Sequence, residues 1–203
     1  MSDGRTTRWA GHREARRADF VAAAMDVIER EGPGATVDQI AAERGISRQS
    51  LYRQFEDRAD LDRAIALEAA EQLIAALLPK IDLSGDIPSS IRSALVAYLD
   101  HVQAHLNVYT FVRAHEADPG DSAVRRVKDT VGSRVAGIAR DYLVTTGVAS
   151  PALADSFATG VVGMADAVIG RWLDVPGELS RGDVVEHLVL MVHGTISSVV
   201  STP

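Results

Sequence analysis

The sequence contains no cysteine. Disulfide-bonded scaffolds, zinc ribbons and thiol-based catalysis are therefore excluded. Its first residues are polar and rich in arginine, so no apolar core of a signal peptide is found there. The longest uncharged stretch, residues 188–203, is interrupted by polar residues and is shorter than the ~20 apolar residues of a membrane-spanning helix. We therefore expect a cytoplasmic protein without a membrane partner.

The net charge of −7 is unevenly distributed along the chain. Residues 1–58 hold 10 basic and 10 acidic side chains, whereas residues 59–203 hold 11 basic and 18 acidic ones. Within the first part, residues 1–17 and 44–58 are the positively charged segments. Basic segments on an otherwise acidic protein predict a confined contact with a polyanion, and a solvated arginine surface is the alternative.

Apolar residues recur at helical spacing along the whole chain, and no segment shows sustained period-two alternation. The pattern predicts an all-α fold of about nine helices. The first helix is expected over about residues 13–31, and the last from Ser180 almost to the end. Residues 1–12 show no apolar periodicity, and we expect a flexible basic arm there. Its arginines and tryptophan either enter a minor groove of DNA or pack on a neighbouring part of the chain.

Residues 35–58 have the pattern of two short helices joined by a tight turn. Thr36 and Gln39 predict a capping box at the start of the first helix. Gly45 permits the turn, and Ser47 caps the second helix. The apolar residues that would pack on neighbouring helices are Val37, Ile40, Ala41, Ile46, Leu51 and Phe55. This is the arrangement of a helix-turn-helix, whose second helix enters the major groove of DNA.

The second of these helices carries side chains that suit DNA. Arg48 can form a forked pair with guanine, and Gln49 can do so with adenine. Neighbouring donors suit phosphate oxygens. The predicted DNA-binding residues are Thr36, Ser47, Arg48, Gln49, Ser50, Tyr52, Arg53 and Arg58. A helical hairpin with solvated arginines explains the apolar residues equally well, but it does not explain why residues 44–55 contain no acidic side chain.

This segment resembles the DNA-binding domain of the TetR family of transcriptional regulators over about residues 15–65. The matching residues are Thr36-Val37, Ile40-Ala41, Gly45-Ile46-Ser47, Leu51-Tyr52, Phe55 and the basic Arg58 before Leu61. Arg58 stands where the family usually has lysine, and either side chain can meet a phosphate. The resemblance implies a homodimer with a C-terminal helical ligand-binding domain, which leaves DNA when its ligand binds. We accordingly expect an arm over residues 1–12, a helix-turn-helix DNA-binding domain over 13–60 and a ligand-binding and dimerisation domain over 61–203.

The eighth and ninth helices have apolar residues nearly all round, which burial of a single face does not require. Small residues would let another helix approach the eighth one closely: Gly160, Gly163, Ala167 and Gly170. We predict a homodimer in which these two helices pair with their copies, and a buried helix pair within a monomer is the alternative. Asp166 in this apolar setting requires a partner, namely Arg113 or Arg134 of the chain, a second subunit or a ligand.

The fourth to eighth helices are expected to enclose a cavity for a small, mostly apolar effector molecule. The candidate lining residues are Tyr98, His101, His105, Tyr109, Phe111, Tyr142, Phe157, Met164 and Trp172, of which most would be plain core and about a third would line the cavity. His101 and His105 are four apart on one helix face, a spacing that can bind a metal. No cysteine assists such a site, and we expect neither a metal site nor a cofactor.

These features favour a ligand-responsive transcriptional regulator of the repressor type. It would bind a palindromic double-stranded operator as a homodimer and be released by its effector. No nucleophile elbow, phosphate-cradling glycine loop or close carboxylate pair is found, so no catalytic residue and no enzyme activity are predicted. An enzyme with a helical cavity and a ligand-independent architectural DNA-binding protein are the two alternatives.

Overall fold

A computed structural model of the chain describes residues 3–80, 86–117, 122–145, 147, 149–175, 177 and 179–200. These residues form nine α-helices and one short 3-10 helix and contain no strand, which confirms the all-α prediction. The helices are α1 (Asp3–Glu31), α2 (Val37–Glu43), α3 (Arg48–Tyr52), α4 (Arg58–Leu77), α5 (Ile87–Ala104), α6 (Leu106–Ala117), α7 (Ser122–Thr145), α8 (Pro151–Asp174) and α9 (Arg181–Val200), and the 3-10 helix is Leu78–Lys80.

The first helix is longer than the apolar pattern predicts. It begins at Asp3 instead of near residue 13, so the helix continues through most of the expected basic arm. No proline interrupts this segment, and its alanine and arginine residues favour a helix even where no apolar face is present. The side chains before residue 14 lie outside the described part of the chain, and the predicted contact of the arm with DNA stays a prediction.

Packing divides the chain into two units. The first consists of Met1–Gln72 and Val102–Lys128, and the second of Leu73–His101 and Asp129–Pro203. The helix α6 therefore packs with the N-terminal helices, although it lies within the segment expected to bind the effector. The division of function at residue 60 stays a prediction.

The core of the first unit is built from α1, α2, α3, α4 and α6. Its largest fully buried side chains are Ile28, Ile40, Leu51, Phe55, Leu61, Ile65 and Phe111. The helices α2 and α3 have only seven and five residues, too few to be stable alone. Burial of Ile40 and Leu51 contributes about 1.5–3 kcal/mol each and attaches these short helices to their neighbours, as the sequence predicts.

The core of the second unit joins α5, α8 and α9. Its buried members are Leu95, Leu99, Ile169, Val184, Val185, Leu188 and Val189. At its surface, Arg92 of α5 donates two hydrogen bonds of 2.7 Å to Glu186 of α9. Arg181 of α9 also pairs with Asp100 of α5. Apolar packing and exposed ion pairs together hold α9 on α5.

The helices α8 and α9 leave apolar surface exposed in this chain. Leu190 is 67% exposed, and Met191 and Leu153 are also exposed. Gly160 and Gly163 of α8 are exposed, and a side chain at either position would meet no atom within 4 Å. By length and composition alone α8 could cross a membrane, and only 17% of its most apolar 18-residue stretch is buried in this chain. The second unit thus presents an unpartnered apolar face.

Candidate nucleic-acid interface

The turn between α2 and α3 depends on Gly45. Its φ of +63° lies in the left-handed region, which residues with a side chain rarely adopt. The N–H of Gly45 donates to Ala42, and that of Ile46 donates to Ala41, at 2.9 and 3.1 Å. These bonds end α2 and reverse the chain, so that α3 begins only a few residues later. The predicted turn is confirmed.

Both short helices begin at the residues that the sequence predicts. The Thr36 side chain accepts the N–H of Gln39, and the Gln39 side chain accepts the N–H of Thr36, which completes the capping box. The Ser47 hydroxyl accepts the N–H of Ser50. Each cap satisfies backbone donors that a helix start leaves unpaired. Thr36 and Ser47 thus have a structural role in the absence of DNA.

The helix α3 presents its predicted contact residues to solvent. Leu51 is fully buried and anchors the helix, while Ser47, Arg48, Gln49 and Arg53 are exposed. Ser50 and Tyr52 are half-buried. The side chains of Gln49 and Arg53 make no hydrogen bond or ion pair within the described part of the chain. One side of α3 is therefore available to a groove of DNA.

Two arginines of residues 35–58 each lie near an acidic residue of α1 or α2. Arg48 lies 3.5 Å from Asp38 of α2, and both side chains are exposed. The Arg48 guanidinium also lies 5.7 Å from the ring centre of Tyr52. Arg44 donates to the carbonyl of Asp19 in α1 at 3.2 Å. Because exposed pairs of this kind contribute little free energy, DNA can replace them readily.

Arg58 has a different environment. Its Nε donates to both carboxylate oxygens of Asp62, at 2.7 and 2.9 Å, and Asp62 is 3% exposed. The guanidinium lies 6.0 Å from the ring centre of Phe111 in α6. The side chain predicted to meet a phosphate is thus half-buried and paired in the DNA-free protein.

A second buried carboxylate fastens the α3–α4 turn to α1. Arg17 donates to both oxygens of Asp60, at 2.8 and 2.9 Å, and to the carbonyl of Gln54 at 2.9 Å. Asp60 also accepts from the backbone of Glu56 and pairs with Arg63. The hydrogen bonds from Arg17 lower the pKa of Asp60 to about 2, against the opposing effect of burial.

Sequence reasoning missed this contact. The charge pattern places Arg17 in the basic segment 1–17 that is predicted to contact a polyanion, and it predicts no acidic partner for Arg17. Asp57 is the residue that caps α4, since its carboxylate accepts the N–H of Asp60 at 2.8 Å. No local pattern connects Arg17 with Asp60, which lie 43 residues apart.

The candidate effector-binding residues are divided between the two units. His105, Tyr109 and Phe111 belong to the first unit, and Tyr98, His101, Tyr142, Phe157, Met164 and Trp172 belong to the second. Phe111 is fully buried in the core of the first unit. In the second unit Tyr98, Met164 and Trp172 are partly buried and pack against the core. These four thus contribute to packing, which is the plain-core alternative that the sequence left open.

Further structural detail is found at Tyr109, which is one of the remaining candidates, at Asp166 and at one cavity of the second unit. The Tyr109 hydroxyl is buried without a hydrogen-bond partner in the described residues, and Asp166 is half-buried. A shallow cavity of about 640 Å³ in the second unit is lined by Arg140, Asp141, Val144, Thr145, Pro151, Ala152 and Asp155. It includes none of the predicted effector-binding residues. Their role and the partner of Asp166 stay predictions.

The chain is similar to known regulatory proteins along most of its length. Residues 20–65 match the family model of bacterial regulatory proteins of the tetR family. An uncharacterised HTH-type transcriptional regulator of Mycobacterium tuberculosis is 24% identical over 200 residues, which are 98% of this chain and 85% of that protein. The match to residues 20–65 coincides with the helix-turn-helix described above and confirms the predicted resemblance.

Two relatives from Mycolicibacterium smegmatis are named as regulators of opposite effect, one as an activator and the other as a repressor. The HTH-type transcriptional activator FasR is 22% identical over 188 residues, covering 92% of this chain and 85% of FasR. The HTH-type transcriptional repressor LfrR is 32% identical over 100 residues, covering 49% and 52%. The crystal structure of a transcriptional regulator from Rhodococcus sp. Rha1 superposes with a TM-score of 0.73 at 16% identity, covering 92% of this chain and 99% of that one.

Proposed function

We propose that the chain is a member of the TetR family of transcriptional regulators, that it binds a palindromic operator as a homodimer, and that a small, mostly apolar effector releases it. Its relatives are regulators of transcription, and no catalytic activity is proposed. We propose a cytoplasmic repressor, because a repressor needs only to occupy its operator, whereas an activator also needs a surface that recruits polymerase.

The solvent-facing side of α3 is the observation that carries the DNA-binding proposal. Arg48 and Gln49 have the donor geometry for base edges in a major groove, and both are exposed. Arg53, which lacks an ion-pair partner within the described residues, suits a phosphate. Leu51 anchors the same helix in the core, so the orientation of these side chains is defined before DNA arrives.

The unpartnered face of α8 and α9 supports the homodimer. Exposed glycines allow close helix approach, and Leu190 supplies apolar area that a second copy would bury. A membrane is a poorer partner for α8, because the helix also carries Asp155, Asp166 and Arg171. A dimer carries two recognition helices, which fit half-sites separated by about one or more turns of DNA, ~34 Å each.

The effector proposal rests on the candidate residues of α5 to α8. Several are aromatic side chains that are only partly buried, and Tyr109 has a buried hydroxyl that a ligand could satisfy. Release requires that the effector bind the DNA-free arrangement more tightly than the DNA-bound one. A protein that binds one operator with the same affinity across a chemically diverse ligand set would instead be a ligand-independent DNA-binding protein.

The test begins with selection of binding sites from random duplex DNA, followed by affinity measurements by fluorescence anisotropy. We expect a palindromic site. Arg48→Ala should weaken specific binding by about 1–3 kcal/mol and relax the preference at one base pair. Arg53→Ala should weaken binding to all sequences and reduce the slope of log K against log salt by about 1.

The matched control is Arg30→Ala. Arg30 is also exposed, but it lies in α1 and pairs with Glu31 and Glu43. Its loss should leave both the affinity and the base preference unchanged. The proposal is wrong if the wild-type protein selects no sequence, or if the two α3 variants bind DNA as well as the Arg30 variant does.

A further inference from the structure

Arg58 is the one predicted DNA-contacting side chain that is half-buried and held by a buried carboxylate. Its Nε is 2.7 and 2.9 Å from the two oxygens of Asp62. The Arg58 side chain is 35% exposed and that of Asp62 only 4%. The pair at the recognition helix, Arg48 and Asp38, is longer at 3.5 Å and exposed on both sides. The two pairs therefore differ in how easily a phosphate can replace the carboxylate.

The other side of Asp62 is closed by α6. The Nε2 atom of His115 lies 3.6 Å from an oxygen of Asp62. The Nδ1 atom of the same ring is 2.8 Å from the carbonyl of Phe111, so Nδ1 carries the proton and donates. The Phe111 ring lies beneath both the imidazole and the guanidinium. Asp62 is thus enclosed between a cation at the start of α4 and a histidine of α6.

From this geometry we infer that Asp62 is a positioning residue that restrains Arg58 and lowers the affinity of the protein for every DNA sequence alike. The inference rests on the proposed DNA binding. A phosphate that captures Arg58 must take it from Asp62, and the buried carboxylate then loses the guanidinium that pairs with it. The cost of separating this pair weakens the contact of Arg58 with the DNA backbone and leaves the contacts of the protein with the bases unaffected. A larger share of the binding free energy then comes from the sequence-specific contacts of α3.

The test compares Asp62→Asn, Arg58→Ala and the double variant on the selected operator and on unrelated duplex DNA. Asparagine keeps the shape of the side chain and removes its charge. We expect Asp62→Asn to tighten binding by roughly three- to tenfold, by the same factor on both DNAs. Arg58→Ala should weaken binding to both. In the Arg58→Ala background, Asp62→Asn should tighten binding no more than Glu56→Gln does there.

Glu56→Gln is the matched control. It removes the same charge close to the start of α4, but the Glu56 side chain is exposed and makes no hydrogen bond or ion pair with Arg58 in the described part of the chain. Any gain in affinity from Glu56→Gln should persist when Arg58 is alanine, because the lost charge acts through the electrostatic field of the whole protein. The inference is wrong if Asp62→Asn tightens binding as much in that background as it does when Arg58 is present, or if Asp62→Asn changes nothing.

A measurement on the wild-type protein makes the test independent of whether Asp62→Asn folds. The Nε–H of Arg58 should give a resonance protected from exchange with water in the DNA-free protein, and operator DNA should shift it, because its acceptor changes from the Asp62 carboxylate to a phosphate. An Arg58 resonance that is unprotected without DNA, or unchanged by bound DNA, overturns the inference. If the wild-type protein binds no DNA at all, the proposed function fails first, and the protected Arg58 resonance still reports the restraint by Asp62.

Discussion

Two buried carboxylates near the start of α4 have different tasks. Asp60 accepts hydrogen bonds from Arg17 of α1, and this contact joins distant parts of the first unit. Asp62 accepts from Arg58 one turn earlier in the same helix, and this contact restrains a side chain. A buried carboxylate destabilises a fold unless a cation or several donors satisfy it. The two arginines thus explain how both acids are tolerated close to a surface that we propose meets DNA.

At Asp60 the lowered pKa predicts a pH-dependent stability. The pKa is about 2 in the folded protein and about 3.9 in an unfolded chain, so the ionised form favours folding. This contribution, about 2 kcal/mol, is fully present above about pH 4 and disappears as the pH falls through about 2. We expect Asp60→Asn to lower the free energy of unfolding at neutral pH and the difference from wild type to shrink between pH 4 and 2, as measured by urea denaturation.

Asp19→Asn provides the comparison for this measurement. Asp19 is 67% exposed and lies 3.7 Å from Arg44, so its ion pair contributes little to stability. Its loss should change the free energy of unfolding by less than about 0.5 kcal/mol at any pH. Equal effects of the two substitutions would contradict the assigned role of Asp60.

The helix α6 shows how one element is held by another. Its N-terminus meets Glu29 of α1, whose carboxylate accepts the N–H of Val108 at 2.9 Å. The Asn107 side chain donates to the Glu29 carbonyl at 2.8 Å. Helix starts expose unpaired N–H groups, and here another helix satisfies one of them with a negative charge. This cap and the burial of Phe111 account for the membership of α6 in the first unit.

Removal of this cap should weaken α6 more than the rest of the protein. We expect Glu29→Ala to lower the free energy of unfolding by about 1–2 kcal/mol, because the N–H of Val108 loses its partner. Hydrogen exchange should accelerate at the first turn of α6. Glu31→Ala removes an exposed acid from the same helix end and should do neither. If exchange in α6 is the same in both variants, Glu29 does not hold this helix.

For the molecule as a whole, the proposed dimer accounts for the apolar surface of α8 and α9. Exposed apolar side chains occur singly on most proteins, but here they accompany the exposed small residues Gly160, Gly163 and Ala167 of α8. Tight packing of two copies would bury both features. The twofold symmetry of the dimer would place two DNA-binding domains on one operator. The affinity of each domain for its half-site would then depend on the other.

Leu190→Asp should therefore disrupt both assembly and DNA binding. Leu190 is 67% exposed in the single chain, and a carboxylate at this position would be buried without a partner in the dimer. We expect the variant to sediment as a monomer and to bind the operator at least tenfold more weakly, because two half-sites are no longer bound together.

Leu67→Asp is the matched control, since Leu67 is 47% exposed and lies in α4 of the first unit. It should leave sedimentation unchanged. A wild-type protein that sediments as a monomer would contradict the proposed dimer, and a dimeric Leu190→Asp variant would place the contact elsewhere on the chain.

Local sequence patterns predicted the helices and the orientation of α3. Three local features act over only three to five residues each: the capping box of Thr36, the turn at Gly45 and the cap at Ser47. Because their partners are close neighbours along the chain, the sequence alone predicts them. The position of Leu51 within a short helix likewise determines that Arg48 and Gln49 lie on the outside. The long α1 was missed because a helix needs no apolar face in order to continue.

Tertiary structure decided which carboxylates pair with Arg17 and Arg58 and how deeply those pairs are buried. The sequence determined that both are cations near a DNA-binding segment. Arg17, however, forms an ion pair with Asp60, which lies 43 residues away. Arg58 has its carboxylate within one turn, yet the strength of that pairing depends on burial by Phe111 and His115 of α6. Helix formation depends on neighbours along the chain, whereas the burial of a charge depends on which helices pack around it, and only the folded structure specifies that.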